Sequence, residues 1–181
     1  MSALELNSTF SILPYLHAEG PHPDYQDKLA LFGQFIGVWD MDIQFFDESG
    51  NSIFHEPGTW AFSWVLDGRV IQDVIVYADL QDVTKVAPGV RRTGTSLRHY
   101  NPANDSWRVV WMGATSGILL VLTPRIVGDE IWLEGREGET ALIRWVFTEI
   151  DPNHFHWKGL ISEDGGQSWR MEQDMLARRR L

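Results

Sequence analysis

The spacing of hydrophobic residues changes near Gly37. Between residues 24 and 36 the apolar positions recur at helical spacing, and Asp24 is a residue type that favours a helix N-cap. From Gly37 onward, apolar and polar residues alternate in short runs that are separated by turn residues such as Asp67-Gly68. The pattern predicts one helix over 24–36 and about ten strands. The predicted strands are 37–46, 58–66, 69–79, 92–100, 106–114, 117–125, 130–137, 140–149, 154–162 and 167–178.

The first 23 residues show no sustained period and contain Pro14, Pro21 and Pro23. Their apolar side chains are too numerous for a free tail, so we expect an arm that packs on the body of the protein or on a second subunit. These apolar residues are Leu4, Leu6, Phe10, Ile12, Leu13, Tyr15 and Leu16. The predicted organisation is one domain over 1–181, with an arm at 1–23, a helix at 24–36 and strands over 37–178.

The connections between the predicted strands are too short for crossover helices, so neighbouring strands are expected to be antiparallel. A meander of this length hides its edges most simply by closing on itself. The fold class predicted is therefore all-β, an up-and-down barrel of about ten strands with one N-terminal helix. Barrels of this size hold side chains and commonly one small ligand.

Strand faces follow from the alternation. In the first strand Trp39, Met41 and Ile43 alternate with Asp40 and Asp42, which predicts an apolar inside and a wet outside. The same reasoning predicts further inward side chains on the second, fifth, ninth and last strands. They are Trp60, Phe62 and Trp64, then Trp107, Val109 and Trp111, then Phe155, Trp157 and Ile161, then Trp169, Met171, Gln173 and Met175.

Composition narrows the functional classes. Hydrophobic residues make up 44% of the chain, which also contains nine Trp, nine Phe and no Cys, so thiolate chemistry is excluded. The 15 Lys and Arg against 25 Asp and Glu give a formal net charge of −10. This charge disfavours nucleic acid and anionic membrane partners, which bind clustered cations. No apolar run of membrane-spanning length occurs, and a cytoplasmic location is expected.

Gly37-Val38-Trp39-Asp40, placed between the helix and the first strand, resembles the G-x-W signature of the lipocalins and their calycin relatives. The resemblance implies that Trp39 seals one barrel end and that an Arg of the final strand packs across its indole. Arg178 is the candidate, with Arg179 and Arg180 as alternatives.

The chain from about residue 24 is also similar to bacterial calycin-like families of unassigned function. These share a W-x-L-D-G-R stretch, here 64–69, and a late S-x-D-G-G-x-x-W stretch, here 162–169. The second stretch also matches a single Asp-box. It predicts a hairpin turn in which Asp164 accepts backbone N–H bonds while Trp169 packs beneath.

Ten-stranded haem barrels resembling nitrobindin continue with glycines after the Trp, where this chain has Met41, Asp42 and Ile43. An axial ligand would have to be His99, His154 or His156, aimed into the pocket. His154 and His156 share one strand face at a spacing that suits metal chelation, but that face is expected to be the outer one. We therefore expect no cofactor and no metal.

The third, fourth and last strands supply the expected interior polar groups. If the valines of the third strand face inward, so does Gln72, and Thr95 and His99 follow on the fourth strand. With Gln173 they would be the convergent polar groups of an apolar ligand site, or would satisfy each other and ordered water. The expected ligand-binding residues are Trp64, Gln72, Thr95, Trp111, Trp157, Met171 and Gln173.

A second cluster of polar residues lies on the opposite faces of the third and fourth strands. If the assignment of inside and outside is wrong by one residue, this cluster would lie inside the barrel. That cluster contains Arg69, Asp73, Arg98 and Tyr100. An Asp beside an Arg in the interior would be an oriented ion pair, suited to proton abstraction or to gripping a carboxylate.

Three functions remain open from the sequence. The first is a binding module for a small hydrophobic or aromatic molecule inside the barrel. The second is an isomerase, cyclase or hydratase that uses the same cavity. Its acid–base residues would be His99 or Asp73, with Arg98 or Tyr100 stabilising negative charge. The third is an assembly protein that forms a homodimer through the arm.

Overall fold

The computed structural model describes residues 12–77 and 93–180, and its main feature is a closed barrel of ten antiparallel strands. The strands are β1 (Gly37–Phe46), β2 (Ser52–Val65), β3 (Val70–Tyr77), β4 (Thr93–Asn101), β5 (Ser106–Gly113), β6 (Leu119–Val127), β7 (Glu130–Glu137), β8 (Ala141–Thr148), β9 (His154–Ser162) and β10 (Arg170–Arg179). Each strand pairs with its sequence neighbours, and β1 also pairs with β10. The predicted all-β up-and-down barrel is confirmed, and its closure removes the free edges.

The strand bounds follow the turn residues closely. The first and seventh strands lie where they were predicted, while β2 begins at Ser52 instead of residue 58. Residues 78, 79 and 92 of the predicted third and fourth strands lie outside the described residues.

The helical segment is shorter than predicted. Pro23–Tyr25 form a 3₁₀ turn, and helix α2 covers Gln26–Gly33, where the sequence predicts one helix over 24–36. Leu29, Phe32 and Phe35 are buried and plug one end of the barrel, where the Phe35 ring lies 4.9 Å from the Phe147 ring. None of the helices in the described part of the chain is long and apolar enough to span a membrane.

The arm contains a short helix that the sequence does not predict, α1 (Leu13–Leu16). Residues 12–23 lie along the chain's own β2–β3 hairpin, where the Leu66 N–H donates to the Tyr15 carbonyl at 2.8 Å and Ala18 bridges to Trp64. The expected apolar contacts of Leu4, Leu6 and Phe10 lie outside the described residues.

Gly68 explains part of the W-x-L-D-G-R stretch. Its φ of +73° favours glycine, and a Cβ there would lie 2.2 Å from the Gly20 carbonyl oxygen of the arm. The neighbouring Arg69 contacts His22 of the arm, and Trp64 packs beneath Gly33 of α2. The stretch therefore docks the arm and helix on the barrel, and Arg69 is exposed on the outside.

Candidate functional site

The centre of the barrel, away from the helix plug, contains a small aromatic cavity. Its lining consists of Trp60, Ile75, Tyr77, Ser96, Trp111, Trp145, Trp157, Gln173 and Met175. The Trp145 ring lies 5.6 Å from the Trp111 ring and 5.5 Å from the Trp157 ring. The aromatic inner wall expected from the sequence is present.

The cavity is much smaller than expected. Its volume of about 10 Å³ is room for about one water molecule. The indoles of Trp111, Trp145 and Trp157 lie next to one another there and, with the other core side chains, leave little space inside the ten strands. The structure therefore shows an aromatic interior that is almost completely filled by its own side chains.

Two glycines on the inner face make room for these indoles. A Cβ at Gly94 would lie 2.0 Å from the Trp111 ring, and a Cβ at Gly159 would lie 3.0 Å from the Trp157 ring. Both values are shorter than ordinary carbon contacts. The absence of these side chains lets the Trp111 and Trp157 rings lie flat against the strands.

The cavity carries unpartnered hydrogen-bond donors. The Nε1 atoms of Trp111 and Trp157 are buried and have no hydrogen-bond partner within the described part of the chain. Both residues line the cavity, together with the polar side chains of Ser96 and Gln173. A buried N–H without an acceptor costs free energy, so these donors favour an acceptor in the cavity.

Next to the cavity, Asp73 of β3 and Arg98 of β4 form an ion pair between Oδ2 and Nη1 in the barrel interior. The Trp60 indole, a cavity wall, donates to Asp73 Oδ1 at 2.9 Å. The Arg98 guanidinium lies 5.2 Å from the Phe32 ring centroid and 5.1 Å from that of Phe62, within cation–π range. Burial lowers the pKa of Arg98 to about 9.

This pair corrects the strand faces predicted for β3 and β4. Phe62 faces inward and pairs with Asp73, so Asp73 faces inward as well, and Gln72, Thr95 and His99 lie on the outside. The prediction was wrong because β3 is apolar on both faces, and an unpaired Asp73 would be too costly to bury. Arg98 supplies the counter-charge that a buried carboxylate needs.

On the outer surface Gln72 Nε2 donates to Thr95 Oγ1 at 3.2 Å, and Thr95 Oγ1 donates to the Asp73 carbonyl at 2.6 Å. Gln72 and Thr95 therefore do not line the cavity, and His99 is exposed away from it. These three expected site residues are not brought together with Trp111 and Trp157.

Tyr100 faces inward but lies at the helix-plugged end. Its hydroxyl donates to Asp105 Oδ1 at 2.7 Å, and Lys28 of α2 contacts the same oxygen at 2.7 Å. The hydrogen bond to Asp105 raises the pKa of Tyr100, and the two donors lower the pKa of Asp105. Tyr100 thus holds the helix to the barrel and is not part of the cavity.

Trp64 and Met171 also lie outside the cavity lining. Trp64 is buried beneath α2, where Gly33 lies against its ring. Met171 pairs with Leu160, while Gln173 pairs with Gly159, because a β-bulge interrupts the register of β10 between them. The bulge moves Met171 off the inward alternation, which explains why the simple period-2 pattern misplaces it.

Trp111, Trp157 and Gln173 are the expected ligand-binding residues that do line the cavity. Sequence reasoning did not single out Trp145 and Ser96. The inward alternation of Ile143, Trp145 and Phe147 on β8 was a usable signal for Trp145. Nothing in the sequence around Ser96 distinguishes it.

The helix-plugged end of the barrel has the Trp–Arg arrangement that the calycin resemblance implies, but with a different arginine. Arg179 pairs with Trp39 across the β1–β10 junction, and its guanidinium lies 4.1 Å from the indole centroid. It also donates to the carbonyls of Ile36 at 2.6 Å and Gln34 at 2.8 Å. Arg178 was the favoured candidate, but its side chain faces solvent. The pairing of β1 with β10 places Arg179, one residue further along, opposite Trp39.

The late S-x-D-G-G-x-x-W stretch forms the predicted turn. Asp164 Oδ1 accepts from the backbone N–H groups of Gln167 and Ser168, each at 2.9 Å, and from Ser162 Oγ at 2.8 Å. The hydroxyl of Ser168 also donates to Asp164 Oδ2 at 2.6 Å, and this hydrogen bond, together with the others, holds the pKa of Asp164 well below its ordinary value. Arg144 stacks 4.1 Å over the Trp169 ring, so this stretch has a structural role.

All six histidines are among the described residues, and none of them is buried in the interior. His156 of β9 hydrogen-bonds Asp174 on the outer surface, and His154 contacts Asp151. A haem in the lumen would therefore have no histidine ligand. Over residues 12–77 and 93–180, no three His, Asp or Glu side chains converge on a metal position.

No family model matches the chain, and no curated protein matches it. The barrel is similar to the solved structure of an S-type phycobiliprotein lyase, CPES, from Guillardia theta. The identity is 10%, the match covers 84% of this chain and 92% of that chain, and the TM-score is 0.55. A second solved structure, EF1p2_mFAP2b bound to DFHBI, matches at 11% identity over 81% of this chain and 94% of that one. Its TM-score is 0.35, and no conclusion about this chain rests on it. At this identity the likeness to CPES shows the fold alone, which is a closed antiparallel barrel.

Proposed function

We propose that the protein binds a small, flat, hydrophobic or aromatic molecule in the aromatic cavity, and that this ligand carries a hydrogen-bond acceptor such as a carbonyl oxygen. The observation that carries the proposal is the pair of buried indole N–H groups of Trp111 and Trp157, which have no partner among the described residues. Aromatic walls supply contact area, and a few donors orient the ligand.

Binding requires the cavity to expand. An engineered apolar cavity of about 150 Å³ binds benzene, whereas the present cavity measures about 10 Å³. Met175 and Gln173 line it from β10, and both have unbranched side chains that change rotamer easily. We propose that they move to admit the ligand while the indoles seated on Gly94 and Gly159 stay in place.

The acid–base alternative has weaker support. Of its four expected residues, only Asp73 and Arg98 lie together in the interior, and Trp60 and Arg98 already hold the Asp73 carboxylate. A carboxylate held by an arginine and an indole is a poor proton acceptor. We therefore propose binding without turnover. We also propose that neither nucleic acid nor an anionic membrane is a partner, because the net charge of −10 would repel both.

The test uses 1-indanone and indane, which share a flat bicyclic shape and differ by one carbonyl oxygen. Both are titrated into ¹⁵N-labelled protein while the indole N–H signals of the nine tryptophans are followed. We expect 1-indanone to bind about fivefold more tightly, since pairing a buried donor contributes about 1 kcal/mol. The shifted signals should be those lost in Trp111→Phe and Trp157→Phe.

Trp132→Phe is the matched control, because Trp132 lies on the outer face between Arg125 and Arg144. Its replacement should leave binding of 1-indanone unchanged. Equal affinity for the two probes would reject the acceptor requirement, and the absence of any indole shift with either probe would reject the binding function.

A further inference from the structure

The outer surface of β3 to β6 carries a contiguous apolar patch. Its members, which we call the β3–β6 face, are aliphatic side chains between 36% and 63% exposed. They are Val74, Leu97, Val110, Met112, Leu119 and Val121. Scattered single apolar residues are normal on a surface, whereas a contiguous set is a candidate for an interaction site.

The strand register shows that these side chains are direct neighbours. Leu97 pairs with Val110, and Val110 pairs with Val121, which makes one row across three strands. Met112 pairs with Leu119 in the next row, which continues through Thr95 to Val74. Thr95 is therefore the one polar residue within these two rows of described residues.

The face is also free of negative charge. No outward-facing residue of β3 to β6 in the described ranges is Asp or Glu, although the chain has a net charge of −10. Outer-face carboxylates occur elsewhere on the barrel, at Asp40 and Asp42 of β1, Glu134 of β7 and Asp174 of β10. A second copy of this acidic chain can approach this face with less repulsion than it meets at β1, β7 or β10.

The size of the face suits the core of a dimer interface. The two rows cross four strands that lie about 4.8 Å apart, and successive rows lie about 6.7 Å apart along each strand, so the face covers roughly 250 Å². A standard interface buries about 800 Å² per partner, with an apolar core inside a polar rim. Here Gln72, His99, Arg108 and Thr123 surround the apolar rows at one end and supply part of such a rim.

We propose that the β3–β6 face is the interface of a homodimer with two-fold symmetry, in which the face of one copy packs on the same face of its partner. An apolar sheet face without carboxylates can pack on a second copy of itself, and two sheets pack face to face about 10 Å apart. This dimer differs from the one expected through the arm, because residues 12–23 contact their own β2–β3 hairpin. It does not depend on the ligand, because the face lies outside the barrel.

The first test is sedimentation velocity of the full chain over a range of micromolar concentrations. The wild type should sediment as a dimer, and Val121→Glu should weaken association about 100-fold or more, since it buries two unpaired charges. The matched control is Leu176→Glu, at a 45% exposed leucine on the outer face of β10. That variant should remain dimeric.

The second test avoids any loss of folding in the charged variant. Because the chain has no cysteine, Val121→Cys and Leu176→Cys each introduce a single thiol for a short bismaleimide cross-linker. Val121→Cys should give covalent dimers at low micromolar concentration, and Leu176→Cys should not. A monomeric wild type overturns the proposal. So does a Val121→Glu protein that is still dimeric, or equal cross-linking at the two positions.

Discussion

Arg98 and Asp73 form an ion pair in the barrel interior, with side-chain exposures of 1% and 0%. The pair lies between the helix plug, where the Arg98 guanidinium contacts Phe32, and the aromatic cavity, whose wall residue Trp60 hydrogen-bonds Asp73. It thereby links the two halves of the interior. A buried charge of this kind is tolerated only while its partner is present.

We predict that Arg98→Met lowers the free energy of unfolding by about 3–5 kcal/mol, because it leaves the Asp73 carboxylate buried without a counter-charge. The double variant Asp73→Leu/Arg98→Met should recover most of this loss, since an apolar pair of similar volume needs no desolvation of charge. Guanidinium chloride denaturation followed by tryptophan fluorescence measures both values.

The matched control for this prediction is Arg180→Met, which breaks the ion pair with Asp40 at a 51% exposed side chain. This variant should be much less destabilised than Arg98→Met, because both side chains of that pair are more than half exposed and exposed ion pairs contribute little. If Arg98→Met is no more destabilising than Arg180→Met, the interior pair does not have the role described above.

Arg179 and Arg178 provide a second comparison at adjacent positions. Arg179→Ala removes a cation from the Trp39 ring and two hydrogen bonds to carbonyls at the end of the helical segment. We expect a loss of about 1–3 kcal/mol in the free energy of unfolding. Arg178→Ala should change it by less than about 0.5 kcal/mol, because that side chain is exposed. The reverse order, measured by denaturant unfolding, would restore Arg178 as the residue that packs on Trp39.

Gly94 tests the seating of the cavity indoles. Gly94→Ala places a methyl group on the Trp111 ring, so we expect about 1–3 kcal/mol of destabilisation and a shift of the Trp111 indole N–H signal. Gly20→Ala is the control, because nothing lies within 4 Å of the added Cβ. Thermal unfolding and ¹⁵N spectra of both variants measure these effects. Equal stability of the two variants would contradict the close contact between Gly94 and the Trp111 ring.

Asp164 predicts a specific dependence of stability on pH. Its hydrogen bonds lower its pKa in the folded protein below the ordinary value of 3.8, so the folded state favours the carboxylate. The stabilisation is fully present above that ordinary value and is lost as the pH falls through the folded pKa. The stability difference between the wild type and Asp164→Asn should therefore be constant above about pH 5 and shrink towards about pH 2. Denaturant unfolding across this range measures it, and a difference that grows on acidification would contradict the assignment.

Most of the barrel was predictable from local sequence. The inner faces of β1, β2, β5 and β9 alternate large apolar residues with polar ones, as Trp39 and Met41 do with Asp40 and Asp42. The Asp164 turn was equally clear, because an Asp followed by two glycines satisfies its own backbone donors. In these places the local sequence pattern is compatible with only one local structure.

The candidate site was predictable only in part. Trp111, Trp157 and Gln173 were expected in the interior and line the cavity, whereas Gln72, Thr95 and His99 lie outside. β3 is apolar on both faces, so its alternation does not distinguish inside from outside. The deciding contact, between Asp73 and Arg98, joins residues 25 positions apart in the chain.

The sequence alone therefore determined the number and order of the strands, their turns and the aromatic character of the interior, because these depend on residues close together in the chain. The tertiary structure decided which face of β3 and β4 is buried, which arginine covers Trp39, and how little space the indoles leave. Those features depend on strand register and on packing between distant side chains, where a shift of one residue exchanges the inside for the outside.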